Sequence, residues 1–298
     1  MTISGSPPPS SPRKSGHVNK KQSPKQAVRQ LSPASLLKTD PDLMVDRSPR
    51  PLKNRKVQSG LKRALDEAMT DFPELLSSTK WHPKLKLNDL KTIDKHCQEV
   101  RDQTRPLKLD CLEKCSYYSS CQWNEEFPDQ AEVDAYFENL DIIAKTIHAN
   151  KVANSEELAL TVAIHLMSED VPGVCLADVV DNGSDEVTAD HALVLVGAKP
   201  EDVELGKHLR FSDLPDHVLV VDRWLGVTCS PKDYFSERSR VMEEWEKAEV
   251  PVLTFYESKP SEYVSPLSKD NELPEDSIFS VMPLSLDCYG IDLGDDDL

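Results

Sequence analysis

The sequence predicts an α+β fold with a central buried helix packed on an antiparallel sheet. Three observations point there. Ser155–Met167 holds Leu158, Ala159, Leu160, Val162, Ala163, Ile164, Leu166 and Met167, a helix apolar on nearly every side. Such a helix belongs in the middle of a domain. Short apolar runs follow it, too brief for helices and spaced as strands. A strongly amphipathic helix precedes it over Ala131–Ala149, with Val133, Tyr136, Phe137, Leu140, Ile143 and Ile147 on one face. A helix core followed by a meander of strands is an α+β arrangement.

Taken in order, residues 1–60 hold nine of the 22 prolines and ten serines, with little to bury. That composition cannot offset ordering entropy and predicts a disordered leader. Five Ser-Pro pairs, at Ser6, Ser11, Ser23, Ser32 and Ser48, are potential sites for a proline-directed kinase. Residues 61–128 read as a helical N-terminal region. Leu61, Ala64, Leu65, Ala68 and Met69 are spaced for one helix, and a second runs from about Leu87 to Val100. Residues 101–128 read as irregular and cysteine-rich. The α+β domain then spans 129–285, with strands at Val174–Val180, Ala192–Gly197, His217–Val221 and Val250–Phe255 and a polar helix near Ser236–Ala248. Asp292, Asp295, Asp296 and Asp297 mark an acidic tail over 286–298.

Charge divides the chain. Residues 1–60 carry twelve Lys and Arg against three Asp, whereas the remainder carries 23 basic and 49 acidic residues. A body that acidic repels nucleic acid and anionic lipid. The basic leader lacks aromatic residues to stack on bases, so no nucleic-acid partner is expected. Seven cysteines, an odd number in a chain of this size, argue against a disulfide scaffold and for a reducing compartment. No apolar run is long enough for a membrane span, and the N-terminus lacks the apolar core of a Sec signal. No glycine-rich phosphate loop is present, and neither a cofactor nor a metal is expected.

The chemistry is concentrated in three segments: Asn154-Ser155-Glu156-Glu157-Leu158-Ala159, His191-Ala192-Leu193-Val194-Leu195-Val196 and Val220-Val221-Asp222-Arg223-Trp224. A nucleophile in the first turn of a buried helix feels the positive end of its dipole, and the free N–H groups there suit an oxyanion. His191 at the mouth of a strand is the candidate base. Asp222, ending another strand, is the candidate orienting carboxylate, with Trp224 shielding that bond and Asn154 in support. Ser155 admits three readings. It replaces a thiol and silences the site, it is a working hydroxyl nucleophile that needs a strong base, or it is a helix N-cap. His191 and Asp222 could equally be a satisfied core histidine and a turn residue.

These segments resemble the papain-like and transglutaminase-like superfamily of Cys-His-Asp enzymes. More narrowly, they are similar to the cysteine-protease or deamidase domains of bacterial type III secreted effectors, which carry an Asn-Cys-Gly-Glu-His-Ala type motif, a His-Ala/Thr strand and a Val-Val-Asp-Pro-Trp strand end. This chain departs from the pattern at Ser155 (for Cys), Glu156 (for Gly), Leu158 (for His) and Arg223 (for Pro), and the resemblance covers roughly 130–257. It implies a papain-like domain with catalytic residues Ser155, His191 and Asp222, and a host-protein substrate attacked at a carbonyl. It also implies export into the host cell without a Sec signal, with a secretion chaperone on the N-terminal region. With Ser155, turnover is expected to be slow or absent. The rival class is a non-catalytic adaptor, cytoplasmic or nuclear, that engages a basic partner through the acidic body.

Two lesser thiol readings compete. Cys97 beside His96 offers a nucleophile, although sequence neighbours on a helix point apart. Cys111, Cys115 and Cys121, with His96 or Cys97, offer zinc ligands at a spacing that lacks the usual second tight pair. His165 reads as core.

Overall fold

The computed structural model describes residues 55–70, 75–77, 79, 87–124, 128–180, 191–203, 208–253, 263–268, 273, 275 and 277–289. Residues 1–54, and with them most of the expected leader and all five of its Ser-Pro pairs, lie outside the described residues, as does the acidic run after Tyr289; residues 55–60 are helical, so the disorder expected as far as residue 60 is corrected there.

Four helices come first: α1 (Arg55–Thr70), α2 (Leu87–Asn124), α3 (Gln130–Asn150) and α4 (Ser155–Ser168). The strands follow as β1 (Cys175–Val180), β2 (His191–Val196), β3 (His208–Arg210), β4 (Leu219–Asp222) and β5 (Val227–Cys229). Then come α5 (Tyr234–Lys247), β6 (Val252–Leu253), β7 (Tyr263–Val264) and β8 (Ile278–Pro283). Six strands form one sheet in the order β3-β8-β1-β2-β4-β5, every pairing antiparallel, and β6 pairs with β7 apart from it. The α+β class expected from the sequence is present.

The sheet separates two cores. Ala192, Val194, Val196, Leu176 and Val221 face α1–α4, whereas Leu193, Leu195, Cys175, Ala177, Val179 and Val220 face α5. Strands covered on both faces are apolar throughout, which is why β1, β2 and β4 stood out in the sequence. Buried residues of α1 and α2 share the first core with the strands.

One expectation is overturned. Residues 101–124 are helical, continuing α2 to 38 residues through Pro106. The buried positions Ile93, Cys97, Val100, Thr104, Cys111, Cys115 and Tyr118 recur at helical spacing. Four of the seven are cysteine or threonine, so the stripe does not stand out as hydrophobic. Pro106 removes one backbone bond, and the packing of this stripe outweighs the loss. A second difference concerns residues 286–289. They form a short 3-10 turn with Leu286, Cys288 and Tyr289 buried, so packing continues past the expected start of the tail.

α2 and α4 are joined by charge. Glu157 is fully buried, and Arg101 donates to it from Nε (2.9 Å) and from a terminal nitrogen (3.4 Å). Lys108 reaches the neighbouring Glu156 at 2.7 Å. Burial alone would raise the Glu157 carboxyl, but the Arg101 hydrogen bonds, the Arg101 and Lys108 charges and the Asn154 N–H hold it below its ordinary value. Glu157→Gln is expected to cost about 2 kcal/mol in urea denaturation, the scale of hydrogen bonds to a charged group. A substitution without effect would mean that Arg101 does not hold α4 in solution.

Candidate functional site

α4 begins where Asn154 turns the chain. Asn154 is extended (φ −99°, ψ −166°) and its carbonyl accepts from Leu158 N–H at 2.9 Å. Its own N–H is taken by Glu157 Oε2 at 3.0 Å, the returning half of a capping box. Ser155 is the first helical residue and is 8% exposed. Glu156 and Glu157 in the same turn complement the helix dipole.

The connection 169–174 turns α4 back into β1, and β2 runs antiparallel to β1. The start of β2, with His191, therefore lies at the end of the sheet where α4 begins. β4 runs antiparallel to β2 and brings Asp222 to that same end.

His191 and Asp222 meet. His191 Nε2 lies 2.7 Å from Asp222 Oδ2. The acceptor is a carboxylate, so the neutral ring carries its proton on Nε2 and keeps its lone pair on Nδ1. Asp222 is fully buried and also accepts from Tyr234 Oη (2.8 Å) and Leu225 N–H (3.0 Å). Burial alone would raise this carboxyl, yet the His191 charge and hydrogen bond, with those two further donors, hold it below its ordinary value. Burial and the Asp222 charge push the Tyr234 hydroxyl well up, so it remains a donor.

Trp224 lies in the turn after β4, its ring tilted 64° to that of His191 with centroids 5.5 Å apart, and its centroid is 5.1 Å from that of Trp245 in α5. Its indole N–H is committed elsewhere, to Thr79 Oγ1 at 2.9 Å. From there a chain of polar contacts leads back to α4. Thr79 Oγ1 lies 2.8 Å from Ser77 Oγ, and Ser77 Oγ donates to Asn154 Oδ1 at 3.0 Å. Leu76 and Thr79 are pinned by the backbone as well: Leu76 N–H donates to Lys151 O, Ala153 N–H to Leu76 O, and Leu253 N–H to Thr79 O.

Four of the five candidate residues are linked in one chain of contacts. His191 pairs with Asp222 and packs against Trp224, and Trp224 connects to Asn154 through Thr79 and Ser77. Ser155 Oγ makes no hydrogen bond to His191. The reason lies in the pleat. His191 pairs with Val179 and Asp222 with Val227, all on the face that α5 covers, whereas α4 covers the other.

Three participants were not anticipated: Tyr234, Ser77 and Thr79. Tyr234 opens a helix that reads as polar, and Ser77 and Thr79 lie in a stretch without periodicity, so only tertiary contacts identify them.

The Cys97–His96 pairing comes apart, and the Cys121 side chain of the zinc reading lies outside the described residues. Cys97 is buried while its neighbour His96 is exposed, as helical geometry requires. Cys111 and Cys115 lie in the helical core, and burial pushes the Cys111 thiol up to about 12. Among the described residues no three His, Cys, Asp or Glu side chains gather as metal ligands. No described helix is long and apolar enough to cross a membrane. A cavity of about 490 Å³ between α2, α3, α4, β1 and β8 is walled by Leu112, Leu140, Leu160 and Met282. It excludes Ser155, His191 and Asp222.

No protein-family model, curated protein or solved structure matches this chain.

Proposed function

We propose that this protein is a secreted bacterial effector built on a papain-like, transglutaminase-like thiol-hydrolase frame and directed at a host protein. In that frame residue 155 is the nucleophile position, His191 the base and Asp222 its orienting carboxylate. The observation that carries the reading is the fully buried Asp222 fixing His191 at 2.7 Å, at the end of the sheet where α4 begins. A buried acid with three donors fixes the tautomer of the ring and leaves Nδ1 as the proton acceptor. The bond attacked is a carbonyl of a protein: a peptide, a glutamine carboxamide or a ubiquitin-type linkage. With Ser155 in place the site is silent, because a hydroxyl gives up its proton far less readily than a thiol.

The missing Ser155–His191 hydrogen bond favours a second reading, a non-catalytic adaptor that binds its partner through the acidic body. In that reading residue 155 is only the first residue of a helix whose N-cap is Asn154, not Ser155 as the third reading of the sequence had it.

Thiol rescue separates the two. Ser155→Cys is expected to react rapidly with iodoacetamide near neutral pH, and a further His191→Ala substitution to slow that reaction at least about tenfold, as loss of a thiolate-stabilising imidazole should. Modification at position 155 is read by mass spectrometry across a pH series. Slow labelling indifferent to His191 would overturn the hydrolase reading and leave the adaptor.

A further inference from the structure

Two buried thiols meet where the turn 286–289 closes on the sheet. Cys175 opens β1, Cys288 lies in the turn, and their sulfurs are 3.5 Å apart. The contact is set by a clamp of polar bonds around the start of β1. Ser285 Oγ accepts from Val174 N–H at 2.9 Å, Asp287 Oδ2 accepts from Gly173 N–H at 2.8 Å, and Leu284 N–H donates to Val174 O at 2.9 Å. Ser285 Oγ also touches Cys288 Sγ at 3.3 Å. Both ends of the pair are therefore positioned by groups other than the sulfurs.

We propose that Cys175 and Cys288 are a redox modification site that closes to a disulfide when the protein meets a low-molecular-weight disulfide such as oxidised glutathione. Sulfurs in a disulfide are about 2.05 Å apart, so closure needs a movement of only about 1.5 Å from the observed contact. The chemistry balances by two exchanges. Cys288 Sγ attacks the small disulfide, forms a mixed disulfide and releases one small thiol. Cys175 Sγ then attacks the Cys288 sulfur and releases the second. Two protein thiols are oxidised, one small disulfide is reduced, and the two protons leave on the released thiols.

Cys115 is the nearest competitor, and it is otherwise engaged. Its thiol donates to Pro283 O at 3.4 Å and touches Tyr136 Oη at 3.7 Å. Cys115 packs with the α1–α4 core, whereas Cys175 and Cys288 pack in the core that α5 covers. Burial of the pair sets the rate, because the reagent reaches Cys288 only when the turn lifts from β1. The bond would join residues 113 positions apart, a span that restricts the unfolded chain strongly.

The test is incubation of the full chain with oxidised glutathione, alkylation of remaining thiols under denaturing conditions, and peptide mapping. The expected product is a linked pair of peptides containing Cys175 and Cys288, with a higher urea midpoint that dithiothreitol reverses. Cys115→Ser should keep the link. Cys288→Ser should abolish both the link and the rise in midpoint, and its circular dichroism spectrum and melt show whether it is folded. A Cys175 and Cys288 pair that stays fully reduced while Cys229 is modified would overturn the proposal. A link that uses Cys115 in place of either partner would overturn it as well.

Discussion

Asp222→Ala is expected to lower the unfolding free energy by about 3–5 kcal/mol, the cost of breaking a buried charged pair from one side. Three donors converge on this carboxylate, from His191, Tyr234 and the Leu225 backbone, and the residue is 0% exposed. Truncation leaves the Tyr234 hydroxyl and the Leu225 N–H without an acceptor, each a desolvation cost in addition to the cavity. The effect has a pH signature with a defined sign. The Asp222 carboxyl is held below its ordinary value in the folded protein. A depressed carboxylate contributes stability that is fully present above its unfolded value, about 3.9, and is lost as pH falls through the folded value. The gap between wild type and Asp222→Ala in urea denaturation should thus be widest near neutral pH and shrink below about pH 4. A gap independent of pH would mean that the carboxylate is not held ionised by its donors. A gap under about 1 kcal/mol would show that the three hydrogen bonds do not persist in solution.

Gly173→Ala is expected to cost as much or more, about 4–5 kcal/mol, in the range reserved for substitutions with a specific steric cause. Two costs add. Gly173 has φ +69°, a left-handed conformation that penalises a side chain by roughly 1–2 kcal/mol. In addition, a Cβ there would lie 2.3 Å from Ala198 O and 2.4 Å from Ala198 N. Neither backbone atom can yield, because Ala198 N–H donates to Gly173 O and Gly197 N–H to Pro172 O. The clash falls where β1 is about to begin against the end of β2. Gly226→Ala is the control, with a similar φ of +76° and no atom within 4 Å of the added carbon, so it carries the conformational cost alone. Circular dichroism in urea on the two variants separates the effects. Equal losses at the two glycines would mean that the approach of Ala198 to Gly173 relaxes freely.

Much of the fold was legible because several elements carry their own signal. α3 has a clean apolar stripe, α4 is apolar all round, and β1, β2 and β4 are apolar runs between turns. α2 was cut short because its buried face is written in Cys97, Thr104, Cys111 and Cys115, residues that read as chemistry before they read as core. β3 and β5 have three residues each, too few for any period to show. β8 has a buried face at Phe279, Val281 and Pro283, but Ile278 and Met282 on the other face blur the alternation. The reading of His191 at the start of one strand and Asp222 at the end of another offered their pairing as one option beside a core histidine and a turn residue, and the two side chains lie 2.7 Å apart. Which side of the sheet they occupy was not legible, since strands apolar on both faces conceal their orientation. Ser155 illustrates the gap: its place at the start of α4 was readable, and the lack of a hydrogen bond to His191 was not.

The strand order also bears on how the protein is made. β8 lies between β3 and β1, yet it is the last of the six in sequence. As the chain leaves the ribosome, the open edge of β1 waits for a partner some hundred residues downstream, on the order of 5–20 s at ordinary synthesis rates. The four helices and the β1-β2-β4 meander can form in that interval, but the sheet stays incomplete until residues 278–283 emerge. Native structure is therefore acquired only once residues 278–283 have emerged, and until then the unpaired edge of β1 is open to a chaperone or to another chain.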